Sequence, residues 1–370
     1  MRELFSFVAL VFIFGACSTP LSESTDSGAI HDIGEAAADQ TVVNDGHPPA
    51  ADQGIHDSVF LPNVDAPLQQ ATDAAPVDAV PLDSVAPDTA VAGDTIAWPT
   101  QSCGLQEGDN TNFMIAGASR RFFIELENVP AGYSGKLPVV FAYHGLGSSA
   151  YSMNNWTSPV KANAPFIKVV PQSLHASTDP VWDFQSDPTQ SIDLDFFDAM
   201  LGCLNAQYDI DLNRIHALGF SYGGHWVDYL LTHRGNILAS FAQVSGGFFS
   251  FSTSSPLYFY WPADTLLGGL TNRAAGITAW GGASDGSNGL FDTLGKNSVQ
   301  LLRSHNHFVV QCVHDKGHKW PPGGFAKFIF QFFQDHPLGT SPSPYQTGLP
   351  QTTPFTGTYK DWPSWCSVAP

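Results

Sequence analysis

Positive charge is scarce in this chain: 15 Lys and Arg stand against 34 Asp and Glu over 370 residues. A phosphate backbone is met by clustered basic side chains, so nucleic acid is excluded as a partner. Long hydrophobic runs are missing too. The apolar stretch over 7–14 is too short to span a bilayer as a mature helix. Cysteine is sparse, with five in all, and the spacings of Cys103, Cys203, Cys312 and Cys366 fit no zinc-ligand pattern. No metal site and no cofactor are expected.

What is present first is a leader. Arg2 precedes the apolar run, and small residues follow it, the pattern of a secretory signal. Its end, Phe14-Gly15-Ala16-Cys17, resembles a bacterial lipobox, with Phe14 where Leu is usual. Cys17 is therefore the expected lipidation site, the only route by which this chain would touch a membrane, and the location expected is secreted and held at the bacterial outer membrane or cell surface, with ordinary cleavage and free secretion the alternative. The other four cysteines would then lie in an oxidising compartment as two disulfides, and three pairings are open.

The net charge of −19 is unevenly spread. Residues 18–100 hold 14 Asp and Glu and no Lys or Arg, which leaves about −5 for 101–370. In the acidic stretch Asp73, Asp78, Asp83 and Asp88 recur every five residues among Pro76, Pro81 and Pro87. Such a run buries too little apolar surface to offset chain entropy and is expected to be a disordered tether, spanning roughly 50 Å as a coil. Calcium binding by the repeated Asp is the rival reading, and a self-repelling linker the preferred one.

From Cys103 the texture changes. Short apolar runs alternate with helical stretches, which predicts an α/β domain over 101–337 and a Pro- and Thr-rich tail, 338–370, packed on it. Strands are predicted over 121–127, 138–143, 167–171, 215–220, 240–244, 276–280 and 308–313. Several are apolar throughout, as in parallel sheets covered on both faces. Helices are predicted over 193–206, 225–231 and 325–333.

Three motifs carry chemistry. Gly219-Phe220-Ser221-Tyr222-Gly223 follows a predicted strand and precedes a predicted helix. A G-x-S-x-G turn in that setting presents a serine nucleophile at a strained corner, and its glycines leave room for the neighbouring strand and helix. Tyr143-His144-Gly145-Leu146-Gly147 follows the 138–143 strand, and the N–H groups of Tyr222 and Leu146 are the predicted oxyanion donors. His144 is expected to hold that loop by hydrogen bonds. Gly317-His318-Lys319-Trp320-Pro321 follows the last predicted strand, and His318 is the predicted base, with His314 the competitor. The pair His314-x-x-x-His318 lacks the Glu of a zinc helix and is not read as metal-binding. Asp285, in the loop after 276–280, is the predicted acid that orients the imidazole, with Asp292 the alternative.

These pieces together resemble the polyhydroxybutyrate depolymerase and feruloyl esterase group of the first carbohydrate esterase family. The matching stretches run in order from Ser102-Cys103-Gly104 through His144-Gly145, Val170-Pro171-Gln172 and Asp193-Leu194-Asp195-Phe196-Phe197-Asp198. They continue with 211–224, close to the group's D-x-x-R-I/V-x-x-x-G-x-S-x-G-G, and with Gly317-His318-Lys319-Trp320-Pro321, and close with Pro363-Ser364-Trp365-Cys366-Ser367. The resemblance covers roughly 102–370. It departs where a Cys often follows His-Gly and where Trp280-Gly281-Gly282 replaces a commoner His-Gly. It implies an α/β-hydrolase fold, with a mostly parallel central sheet flanked by helices. It also implies a cofactor-free serine esterase working through an acyl-enzyme on an ester substrate. The expected substrates are feruloyl or acetyl esters on polysaccharide, with polyester oligomers as the alternative. A non-catalytic surface-binding lipoprotein on the same scaffold is the rival class. Among Trp156, Trp182, Phe184, Trp226 and Trp320, most are expected in the core, and Trp182 and Trp320 are the ones expected to meet substrate. Trp362 and Trp365 belong to a tail expected to be pinned through Cys366, with contact to sugar rings the alternative reading.

Overall fold

The computed structural model of the chain describes residues 103–157, 164–175, 181–248, 261–350, 353–355, 358–360 and 362–370. The expected leader, Cys17 and the tether over 18–100 lie outside them.

The period-two alternation of a strand explains how one sheet serves two cores. In β3 (Leu137–Tyr143), Val139, Phe141 and Tyr143 face one side, and Val140 and Ala142 the other. All five are buried, as expected of a parallel strand covered on both faces. The strands are β1 (Gly108–Ile115), β2 (Ala118–Glu127), β3, β4 (Phe166–Gln172), β5 (Ile210–Phe220), β6 (Ser240–Val244), β7 (Ala275–Trp280), β8 (Val309–Val313), β9 (Thr353–Phe355), β10 (Thr358–Lys360) and β11 (Cys366–Val368). Nine of them form one sheet in the order β1-β2-β4-β3-β5-β6-β7-β8-β11. The stretch from β4 to β8 is parallel, and β1, β2 and β11 pair antiparallel. β9 and β10 pair antiparallel as a separate two-stranded sheet.

The helices divide between the faces. On the Phe141 side lie α2 (Ile192–Gln207), α3 (Tyr222–Arg234), α4 (Ala263–Gly269) and α5 (Leu290–Ser304). On the Val140 side lie α1 (Ala150–Thr157) and α6 (Ala326–Asp335), the latter burying Phe328, Ile329, Phe332 and Phe333 at helical spacing. α2 starts at Ser191, whose hydroxyl accepts from the Leu194 N–H at 3.3 Å. Its Asp193 is buried and ion-paired with buried Arg120 at 2.5 Å, which fastens α2 to β2. This is the α/β-hydrolase architecture expected from the sequence.

The cysteines pair Cys103 with Cys203 and Cys312 with Cys366. The first ties the chain ahead of β1 to α2. The second joins directly opposed residues of β8 and β11. The tail therefore does more than pack on the domain as expected: β11 is the sheet's edge strand. Trp362 is buried against Phe328 and Tyr345, so it is not a surface contact for sugar rings.

Candidate active site

Parallel strands β5, β6, β7 and β8 bring their C-terminal ends to one edge of the sheet, where open α/β sheets carry their sites. At the end of β5 the chain turns directly into α3. Ser221 occupies that turn with φ 57° and ψ −121°, a conformation that costs a residue with a side chain. Crowding fixes the glycines around it. A Cβ on Gly219 would lie 2.0 Å from the Gly223 carbonyl oxygen, and one on Gly223 would lie 2.1 Å from that of Tyr143. The turn is anchored by the Ser221 N–H donating to the Val244 carbonyl at 2.8 Å.

Ser221, His318 and Asp285 meet at this edge although they are far apart in sequence. The Ser221 hydroxyl donates to His318 Nε2 across 3.0 Å. His318 Nδ1–H donates to Asp285 Oδ1 across 2.7 Å. Asp285 is fully buried, and its Oδ2 accepts from the Gly281 N–H at 2.6 Å and from the Ser245 hydroxyl at 2.7 Å. The His318 ring is clamped between Phe220, 5.0 Å away, and Phe291, 4.4 Å away, both near-parallel to it. Such a chain can carry the Ser221 proton to imidazole while the carboxylate stabilises the cation.

The competitors are occupied elsewhere. Asp292 accepts from the Trp280 indole at 2.9 Å and from Lys296 at 2.6 Å. His314 is buried, accepts the Lys316 N–H through Nδ1 and stands edge-on to Trp365.

His144 is fully buried in the loop after β3. Its Nδ1–H donates to the Gly145 carbonyl at 2.9 Å, and its Nε2 accepts from the Ser173 N–H at 3.2 Å. Burial pushes its pKa down to about 4, so it is neutral at pH 7, a brace for the loop. That loop runs against the nucleophile turn: a Cβ on Gly145 would sit 2.9 Å from Ser221 Cβ. Leu146 follows it, and Tyr222 opens α3 at the positive end of the helix dipole.

Trp182 is a correction. It was expected to meet substrate, yet it is 1% exposed, and its indole N–H donates to the His144 carbonyl at 3.0 Å. It packs on Trp226 and Tyr143 in the core, because an indole with its one donor satisfied is stable when fully buried. Phe184 and Trp226 are core as well. Trp320 stands at the site's edge, half-buried and stacked on Trp156, with ring centroids 6.2 Å apart. Both contact Phe220, the ring that carries His318. Sequence reading missed Ser245 and Phe291. The Ser-Gly-Gly at the end of β6 was the available signal for the first, and the helical period of 290–304 for the second.

No family model matches the chain. Feruloyl esterase D of Neurospora crassa is 29% identical over 177 residues, 43% of this chain and 57% of that protein. An oxidized polyvinyl alcohol hydrolase from a Pseudomonas species is 24% identical over 258 residues, 58% of this chain and 62% of that protein. The chain thus spans about three-fifths of the length of these curated relatives. Among solved structures, native pOPH superposes with a TM-score of 0.53 at 19% identity, covering 74% of this chain and 98% of that one. Native sOPH gives 0.50 at 19% identity, covering 66% and 92%. These superpositions establish the fold, and the sequence likeness is to a feruloyl esterase and depolymerase-like group of α/β-hydrolases.

Proposed function

We propose that the chain is a secreted serine carboxylic-ester hydrolase acting on feruloyl or acetyl esters of polysaccharide. The observation that carries the reading is the unbroken hydrogen-bonded path from Ser221 through His318 to Asp285 at a strained strand-to-helix turn. His318 takes the Ser221 proton as Oγ attacks the ester carbonyl. The N–H groups of Tyr222 and Leu146 receive the oxyanion, and Asp285 stabilises the imidazolium. His318 then gives its proton to the departing alkoxide, and the acyl group stays on Oγ. Water, deprotonated by His318, releases the acid and restores the serine.

The substrate class is supported by the likeness to Feruloyl esterase D and by the stacked Trp156–Trp320 pair near His318, whose rings suit packing against an aromatic acyl or a sugar ring. A second reading, hydrolysis of a synthetic or storage polymer, is favoured by the oxidized polyvinyl alcohol hydrolase, whose match covers more of this chain. Secretion is supported by the leader over 1–17 and by two disulfides, which persist in oxidising compartments. Among the described residues no helix is long and apolar enough to cross a membrane. A lipid on Cys17 with the 18–100 tether would hold the enzyme at a surface within reach of polymeric substrate.

The test is hydrolysis of 4-nitrophenyl acetate, methyl ferulate, acetylated xylan and hydroxybutyrate oligomers by the full chain beside Ser221→Ala. Turnover by the first and not by the second is expected, with methyl ferulate or acetylated xylan preferred. No turnover of even the activated acetate, together with no fluorophosphonate labelling, would leave a binding protein on a hydrolase scaffold.

A further inference from the structure

Ser245, the residue after β6, stands between the two halves of the site. It is fully buried, and its N–H donates to the Ala279 carbonyl at 2.7 Å. Its hydroxyl donates to Asp285 Oδ2, also at 2.7 Å, and the Gly281 N–H meets the same oxygen at 2.6 Å. Two donors on Oδ2 leave Oδ1 for His318 Nδ1. The next residue, Gly246, is pressed against the first turn of α3: a Cβ there would come within 2.7 Å of the Gly224 carbonyl carbon. One short segment therefore touches both the helix that starts at the nucleophile and the acid that orients the base.

The backbone adds an independent observation. Ser245 has φ 47°, in the left-handed region where glycine is unstrained and other residues are not. Backbone economy alone would place glycine here, as it does at Gly247, where φ is 147°. A side chain kept at a strained position, with its only polar atom spent on Asp285, marks a functional constraint.

We propose that Ser245 is a positioning residue of the hydrolytic site, whose hydroxyl locks the Asp285 carboxylate so that Oδ1 faces His318 and part of its charge is drawn to Oδ2. This rests on the ester-hydrolase reading, with Asp285 as the acid. Removing the hydroxyl frees the carboxylate to rotate and concentrates its charge on the His318 side, which favours the imidazolium. The acid limb of kcat/KM should then move up by about half a pH unit or more, and kcat should fall about 10-fold. Among the described residues, the other titratable groups facing the pair include His225 on α3 and His314 after β8, with Asp315 and Lys316 beyond it. All are unchanged in the variants, so they do not contribute to a difference from wild type.

Two substitutions in the full chain separate positioning from scaffold. Ser245→Ala and Ser245→Gly delete the same hydroxyl, but only glycine relieves the backbone. Both should lose kcat and shift the acid limb alike, while Ser245→Gly melts at or above Ser245→Ala. If activity instead follows stability, so that Ser245→Gly regains wild-type kcat and pH profile, the proposal is overturned. A readout without turnover is the low-field resonance of the His318 Nδ1 proton, identified by its loss in Asp285→Asn. It should move or broaden in both variants, and an unmoved resonance also overturns the proposal. A wild-type chain that hydrolyses no ester sinks the esterase reading instead, and the resonance still decides the contact.

Discussion

Replacing Gly219 by Ala tests whether backbone crowding sets the nucleophile's geometry. The added Cβ would sit 2.0 Å from the Gly223 carbonyl oxygen, 2.2 Å from its carbon and 2.8 Å from the Gly224 nitrogen. These are backbone atoms of the turn and first helical residues, so no side chain can swing away. Real contacts of this kind do not fall below about 3 Å, and the gap between β5 and α3 must open by about 1 Å. Overpacking of that kind costs about 1–3 kcal/mol, a fall in Tm of roughly 3–10 °C for a domain of this size. The catalytic effect should be larger, because a misplacement of about 1 Å in a reacting group costs about 100-fold. The assay is the rate of fluorophosphonate labelling at Ser221, with Tm measured on the same preparations. Gly269→Ala is the control: no atom lies within 4 Å of its Cβ position, and it should change neither quantity. A Gly219→Ala chain that labels and melts as wild type would refute the reasoning that the glycine exists to make room.

Three further outcomes follow from the geometry. Asp285→Asn should lower kcat by about 10⁴, whereas Asp292→Asn, which loses only contacts to Trp280 and Lys296, should keep kcat within a few-fold; equal losses in steady-state assays would reassign the acid. The Cys312→Ser, Cys366→Ser double variant releases a closure of 54 residues, about 4 kcal/mol in the chain-entropy account, and calorimetry should show a Tm drop larger than any single surface substitution gives. Burial lowers the pKa of His144, His225 and His307 to about 4 and of His216 to about 3. Below the ordinary 6.5 the unfolded chain therefore binds more protons than the native one. Stability is whole above that pH and declines towards pH 4 by about 1.4 kcal/mol per unit for each histidine, so a Tm that stays flat from pH 6.5 to 4.5 would contradict these burials.

Much of the parallel core was readable because its signals are local. The runs at 138–143, 215–220 and 240–244 are short, largely apolar and buried on both faces, as strands of a covered parallel sheet are. β1 was not read, because Asp109, Asn110, Thr111 and Asn112 mask it, and it becomes a strand only by pairing with β2 across a bulge. β11 is three residues long, and its strand character comes from β8 and the disulfide rather than from Cys-Ser-Val itself. α5 is absent from the predicted helices, and its Gly295 is small to let the helix lie against the Trp280 ring.

The site shows the same division between local and distant causes. Ser221 announces itself because the turn needs glycine on both sides, and these neighbours are adjacent in sequence. His318 and Asp285 were legible through strand order, since each follows a strand that ends at the same edge, and His318 also through the flanking Gly317 and Trp320-Pro321. Ser245 gave only the weak sign of the Ser-Gly-Gly that follows β6. Its strained φ comes from the passage between α3 and β7, and its partner lies 40 residues away. The Trp182 expectation failed for the same reason, because the His144 carbonyl that takes its indole proton is 38 residues distant. A loop tryptophan beside a motif looks like a substrate contact until that carbonyl is in place. Residues that act on substrate are thus betrayed by the turns that present them. Residues that hold those groups in place are fixed by buried hydrogen bonds across the sheet's end, and only the folded chain brings the two partners together.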